Sequence, residues 1–145
     1  MASYISENRP NIRLDLMDAQ HTKILKYMNL IYSDLVDNNL RKDSFSAMLD
    51  RLEILCQLHF FEEDNLMENI GYPFASEHKH QHDLFLTSID RVRNYNDKHH
   101  SSRMLNDLIV LRGSFLSHIE DESMPLCKFI HNPISASLTI STQVR

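Results

Sequence analysis

The amino-acid sequence predicts an all-α protein, an up-down-up-down four-helix bundle with an N-terminal arm, and three observations support that class. The 145 residues include only two glycines and four prolines, which leaves little of the turn chemistry that many short strands would need. Four segments carry apolar residues at the three- and four-residue spacing of an amphipathic helix. The connections between these segments are short, so the helices pack most simply as antiparallel neighbours in one domain.

The first helix is predicted over residues 18–37, where Asp18 is a suitable N-cap. The second helix is predicted over residues 44–70. It should end at Gly71-Tyr-Pro73, because glycine adopts the left-handed cap conformation and proline cannot continue a helix. The third helix is predicted over residues 74–96, and the fourth begins at residue 101 or 102, where a serine provides a cap.

The two ends of the chain are predicted to lie outside the bundle. We expect residues 1–17 to form an extended arm and residues 18–131 to form the bundle. Residues 132–145 alternate apolar and hydroxyl side chains as a strand would, but a single strand has no partner in a helical bundle. We therefore expect that segment to be a loose tail.

Composition weighs against two classes of partner. The net charge of −5 and the lack of a basic stripe argue against nucleic acid. No apolar run approaches the roughly 18 residues of a membrane span, and the N-terminus has no segment of signal-peptide type. Cys56 and Cys127 do not make a disulfide framework, so we expect a cytoplasmic protein.

Nine histidines are the unusual feature of the composition, and several fall on the apolar faces of the predicted helices. Residues three or four apart share one helix face. By this rule all four helices direct a histidine inward, and two carboxylates follow a histidine by four residues. The inward set is His21, His59, Glu63, His78, His82, His118 and Glu122.

Burying seven such groups is costly unless each one is compensated, and metal coordination compensates them together. Imidazole and carboxylate ligands without thiolate suit iron, manganese or zinc. Seven ligands are too many for one tetrahedral zinc but fit two metals that share bridging carboxylates. Simpler interpretations exist for each residue alone, since one inward histidine is usually a hydrogen-bonded core residue. The coincidence on four helices favours a dinuclear site.

The chain resembles the hemerythrin family in its bacterial single-domain form. The matching stretches are DAQH at 18–21, HFFEEDNLMENIGYP at 59–73, HKHQHDLF at 78–85 and LSHI at 116–119. The resemblance implies a cofactor of two non-haem Fe ions with an oxo or hydroxo bridge, and O2 or another small diatomic or peroxide ligand. It also implies the distribution of ligands: His78, His82 and His118 on one iron, His21 and His59 on the other, and Glu63 bridging both.

One position departs from the family pattern at the site itself. The second bridge of the family is usually an aspartate five residues after the last histidine, and that position here is Ser123. We expect Glu122 to replace it, because a residue at i+4 on a helix faces the metal more directly than one at i+5. The pocket also differs, with Ser114 and Phe115 where the family often has Trp-Leu.

Three functions are compatible with these residues. The first is reversible O2 binding for storage, delivery or sensing, where sensing would need a separate protein partner. The second is an enzyme, a di-iron oxidoreductase acting on O2, peroxide or nitric oxide. The third is iron handling or repair, in which the site gains or loses iron. The expectation is a binding protein rather than an enzyme.

Overall fold

The computed structural model describes residues 10–37, 41–95 and 101–131, and almost all of these are helical. The elements are α1 Pro10–Asp37, α2 Lys42–Ile70, α3 Ala75–Tyr95, α4 Ser101–His118, a π-helical turn Ile119–Ser123 and α5 Met124–His131. Each of the four long helices packs mainly against two others, in the cyclic order α1, α2, α3, α4. The predicted four-helix bundle is confirmed. None of the described helices is long and apolar enough to cross a membrane.

The turn between α2 and α3 forms as the sequence predicts. Gly71 adopts a left-handed conformation with φ of +65°, which a residue with a Cβ atom rarely adopts. The Tyr72 N–H donates to the Met67 carbonyl at 2.9 Å, and so satisfies a carbonyl at the end of the helix. This tight reversal places α3 directly beside α2, so that His78 and His82 of α3 lie close to Glu63 of α2.

The prediction of an extended arm is wrong for residues 10–17, which are the first turns of α1. The helix begins at Pro10, a residue suited to a first helical position, and Asp18 is an exposed residue within the helix rather than its cap. The additional turns are stabilised by packing, since Met17 is only 3% exposed and belongs to an apolar cluster with α5. The predictions for residues 1–9 and for the tail concern residues outside the described ranges.

The buried core consists of two apolar clusters. The larger one fills most of the bundle and includes Phe60, Phe85 and Phe115. The smaller one, which includes Met17 and Leu126, lies at the end where α5 covers the bundle. Each of the four long helices runs from one cluster toward the other, and its residues between the two clusters include buried polar side chains. The bundle therefore contains a polar layer enclosed by apolar side chains at both ends.

Candidate metal centre

Six of the seven residues predicted from the sequence converge in this polar layer, and each is at most 6% exposed. Two overlapping groups of donor atoms could each hold a metal ion, and within a group all donors lie within 4.8 Å of one another. Both groups contain Glu63 and His118. The first group adds His21 and His59, and the second adds His78 and His82.

Glu63 lies at the centre, and its two carboxylate oxygens face different histidines. Oε2 lies 3.1 Å from His59 Nε2 and 3.9 Å from His21 Nε2. Oε1 faces the Nε2 atoms of the three others, His78 in close contact, His82 at 3.4 Å and His118 at 3.5 Å. Burial opposes ionisation, but hydrogen bonds, first from His118, hold the pKa of Glu63 well below its usual range. Glu63 is therefore a carboxylate anion placed between two sets of imidazoles.

The outer nitrogens of three histidines are held by hydrogen bonds, which directs their inner Nε2 atoms toward Glu63. The pairs are His59 Nδ1 with Gln20 Oε1 at 2.9 Å, His82 Nδ1 with Asp64 Oδ1 at 2.9 Å, and His118 Nδ1 with Glu122 Oε2 at 2.7 Å. Each partner is an acceptor, so Nδ1 donates a proton, and in the neutral imidazole the lone pair lies on Nε2. This is the usual arrangement of histidines that bind metals.

The inner nitrogens show that the residues fit a metal ion. The Nε2 atoms of His59, His78 and His82 are buried, and none makes a hydrogen bond of normal geometry, although His78 Nε2 touches Glu63. Buried polar atoms without partners are rare because each costs free energy. A coordinated cation would satisfy all three, and a donor set of imidazoles with a buried carboxylate suits iron or zinc.

The end of α4 differs from the prediction, which assumed α-helical spacing after His118. Residues 119–123 form a π-helical turn, in which the Met124 N–H donates to the Ile119 carbonyl. In such a turn a residue at i+5 aligns with residue i. Ser123, rather than Glu122, is therefore directed at the centre. The assumption of an uninterrupted α-helix is wrong here.

Ser123 occupies the space between the two donor groups. Its Oγ lies 3.2 Å from His118 Nε2 and 3.5 Å from His21 Nε2 and from both oxygens of Glu63. The Glu122 side chain is 19% exposed, and its Oε2 is 3.9 Å from His78 Nε2 as well as bonded to His118. Direct coordination by Glu122 stays a prediction, while its contact with the outer nitrogen of His118 is what the structure contains.

Three site residues were missed by sequence reasoning, or given a lesser role. Gln20 and Asp64 bond to histidines 39 and 18 positions away along the chain, so no local pattern could reveal them. Ser123 was identified as the departure from the family pattern, but its central position depends on the π-helical turn.

Metal uptake by the metal-free protein is expected to release protons and to become tighter as pH rises from about 6.5 to about 9. Burial disfavours the charged imidazole of His118, but Glu122 and Glu63 raise its pKa to about 9. At neutral pH this proton must leave before Nε2 can bind a metal. Titration with Zn²⁺ in weakly buffered solution at several pH values measures both effects. An affinity that is constant over this interval would contradict the assignment of His118 as a ligand.

Glu122 contacts the outer nitrogen of His118. If it acts through that contact alone, replacing it with alanine is expected to weaken metal binding about 10- to 100-fold while the number of ions at saturation stays the same. Asp121→Ala is the matched control, since Asp121 is exposed on the same turn. Metal content after dialysis against graded chelator measures the difference. Loss of one ion at saturation would instead identify Glu122 as a direct ligand.

The family model described as Hemerythrin HHE cation binding domain matches residues 13–128. The bacteriohemerythrin of Stenotrophomonas maltophilia is 28% identical over 93 residues, 64% of this chain and 60% of the relative. That of Pseudomonas paraeruginosa is 27% identical with the same coverage, and that of Clostridium acetobutylicum is 28% identical over 90 residues, 60% of this chain and 69% of the relative. The match thus spans about 60% of the length of the first two relatives. No solved structure matches the chain.

Proposed function

The chain belongs to the hemerythrin family, and from that premise we propose that it is a non-haem di-iron protein that binds O2 reversibly. The observation that carries the proposal is that the two carboxylate oxygens of Glu63 face different histidines. Oε2 faces two of them and Oε1 faces three. A carboxylate divided in this way is suited to bridge two cations. The relatives with similar sequences are named bacteriohemerythrins, which supports the same reading.

The proposed ligands follow from this division. His78, His82 and His118 would hold one iron, His21 and His59 would hold the other, and the two irons would share Glu63. A reduced pair of irons held by these residues would supply the electrons that O2 accepts when it binds. The side of His21 and His59 offers fewer protein ligands, so an open position for a small molecule is expected there. The Ser123 hydroxyl lies beside this position, 3.5 Å from His21 Nε2, and can donate a hydrogen bond to a ligand.

Aromatic side chains separate the site from the larger apolar cluster and keep water from it on that side. The Phe60 ring is stacked on His82 with a centroid distance of 4.0 Å. Phe115 packs edge-on or tilted against three imidazoles, with centroid distances of 5.9 Å to His21, 6.2 Å to His59 and 5.8 Å to His118. A dry apolar wall slows the entry of water and protons, which favours release of O2 over its irreversible reduction.

The test is a cycle of oxygenation. The protein is loaded with iron under anaerobic conditions, its iron content is measured, and the reduced form is exposed to O2 and then deoxygenated. We expect two ions per chain and a visible absorption band that appears with O2 and disappears on its removal over several cycles. Zinc-loaded protein is the control and should show no band. One-way conversion to a stable diferric form would contradict reversible binding, and one ion or fewer per chain would contradict the dinuclear assignment.

A second candidate function is a di-iron oxidoreductase acting on O2, peroxide or nitric oxide. Ser123 favours it, because a hydroxyl stands where a second carboxylate would fill coordination positions, and catalytic metals keep positions open for substrate. This function predicts one-way oxidation by O2 together with sustained consumption of peroxide or nitric oxide.

A role in sensing would also require a separate protein partner. Both described cysteines are free thiols, which suits a cytoplasmic setting.

A further inference from the structure

A cavity of about 340 Å³ leads from the surface to the candidate metal centre. It lies between the N-terminal half of α1 and the segment formed by the π-helical turn and α5, and we call it the α1–α5 cavity. Asp15, Asp18 and His131 line it and are exposed. Its buried lining includes His21 and Ser123, which belong to the centre. The cavity therefore connects solvent with the side of the centre that has fewer protein ligands.

The charges along this cavity favour cations. Asp15 and Asp18 place two carboxylates at its exposed end. Their field extends along the wall, because the pKa of Cys127 is raised by burial and also by the negative charges of Asp18 and Asp15. A concave surface with one sign of charge concentrates ions of the opposite sign. Such a cavity attracts divalent cations and repels anions. Its charge has no such effect on a neutral molecule such as O2.

His21 lines this cavity and carries a ring nitrogen without a hydrogen-bond partner. Its side chain is buried, and its Nδ1 makes no hydrogen bond but lies 3.7 Å from Asp18 Oδ1. The outer nitrogens of His59, His82 and His118 are by contrast held at 2.7–2.9 Å by their partners. The other nitrogen of His21 lies 3.9 Å from Glu63 Oε2. The imidazole of His21 thus lies between Asp18 of the cavity and Glu63 of the centre.

We propose that the α1–α5 cavity is the route by which divalent cations enter the metal centre. Asp15 and Asp18 capture the ion, and His21, the least restrained of these imidazoles, transfers it to Glu63. Ser123, a buried residue of the cavity lining, contributes through its short side chain, whose Oγ lies 3.5 Å from both Glu63 oxygens. This inference rests on the proposed metal centre but not on O2 as its ligand.

A second cavity of about 340 Å³ is the rival route and supplies a matched control. It is lined by Glu77, Asp121 and Glu122 and reaches His78. Its carboxylate Glu122 already accepts a hydrogen bond from His118, and the buried Nε2 of its histidine, His78, touches Glu63, so neither group is as unrestrained as Nδ1 of His21. The first cavity is therefore the better fit for an incoming cation.

The experiment measures the rate at which the metal-free 145-residue chain takes up Co²⁺, followed by rapid mixing and visible absorption. The double variant Asp15→Asn/Asp18→Asn should bind the same number of ions at equilibrium but at least about 10-fold more slowly, with a weaker dependence on ionic strength. Glu77→Gln/Asp121→Asn removes the same two charges from the net −5 and should keep the rate within about twofold.

A chemical block gives an independent test. Cys127 lines the α1–α5 cavity and is partly exposed, whereas Cys56 is buried with its pKa raised to about 12 by burial, and so remains unreactive. Alkylation with N-ethylmaleimide should therefore modify Cys127 alone and slow Co²⁺ uptake. The Cys127→Ser variant treated in the same way should take up Co²⁺ at its untreated rate.

The outcomes separate the route from the function. Equal slowing in both double variants, or an unchanged rate in Asp15→Asn/Asp18→Asn, overturns the route. A wild-type protein that takes up no cobalt overturns the route and the metal centre together. A protein that binds two ions with the expected rates, but shows no reversible band with O2, supports the route and overturns only the proposed ligand.

Discussion

Replacing Glu63 with glutamine is expected to lower the affinity for both metal ions by more than about 100-fold, since even outer partners of metal ligands contribute 10- to 100-fold. Glu63 belongs to both donor groups, is fully buried and carries a charge that each ion requires. An amide of the same shape retains the packing but not the anion. Metal content by mass spectrometry after chelator dialysis measures the loss.

The same change is expected to destabilise the metal-free protein by about 3–5 kcal/mol, because it removes one partner from a buried network of charged and hydrogen-bonded groups. Glu63 also helps to raise the pKa of His118, so that pKa should fall in the variant. Urea unfolding in the presence of chelator gives the free energy. Glu62→Gln is the control, since Glu62 precedes Glu63 on α2 but is exposed. If Glu62→Gln loses as much metal as Glu63→Gln, the central role of Glu63 is wrong.

Replacing Ser123 with aspartate is expected to make folding strongly dependent on metal. The Ser123 Oγ lies 3.5 Å from both oxygens of Glu63, so a carboxylate there places two negative charges close together in a buried layer. The metal-free variant should melt on the order of 10 °C lower than the parent protein, because charge repulsion and the lost hydration of the buried carboxylate together cost a few kcal/mol. With metal bound, the added carboxylate becomes a second bridge, and the variant should melt at least as high as the parent.

Thermal unfolding with chelator and with saturating Zn²⁺ measures both effects on one sample. Ser123→Ala is the control, because it removes the hydroxyl without adding charge and should change the metal-free melting temperature by only a few degrees. An aspartate variant whose metal-bound form is also destabilised would show that position 123 does not face the ions. The π-helical turn would then not set the geometry of the centre.

The histidine positions were predictable because side-chain direction in an α-helix is a local property. His59 and Glu63, or His78 and His82, are one turn apart, and this spacing alone places each pair on one face. The structure directs these pairs into one buried layer. His80 is exposed, as its position between the pair predicts.

The start of α1 carried a signal that was misinterpreted. Leu14, Met17, His21 and Ile24 follow one another at three- and four-residue steps, so the apolar face already extends before Asp18. Asp18 resembles a cap residue, so local capping preference places the start of the helix there, whereas periodicity places it earlier. In the structure Met17 is buried in the cluster with α5, and this packing outweighs the loss of a cap.

The end of α4 carried no such signal. Leu126 and Phe129 lie 8 and 11 residues after His118, and an uninterrupted α-helix would also turn both of them inward. The single additional residue in the turn therefore leaves the apolar pattern almost unchanged. It nevertheless decides whether Glu122 or Ser123 faces the metals.

By itself, the sequence determined the helical class, the family, and which helix faces carry the donors, because these depend on spacing within one helix. Only the tertiary structure decided which nitrogens face inward, which residue stands between the two donor groups, and where a route from solvent reaches them. Gln20 and Asp64 meet their histidines across helices, and the α1–α5 cavity is formed by segments a hundred residues apart. Such features depend on how helices pack against one another, and no pattern within a single helix specifies that packing.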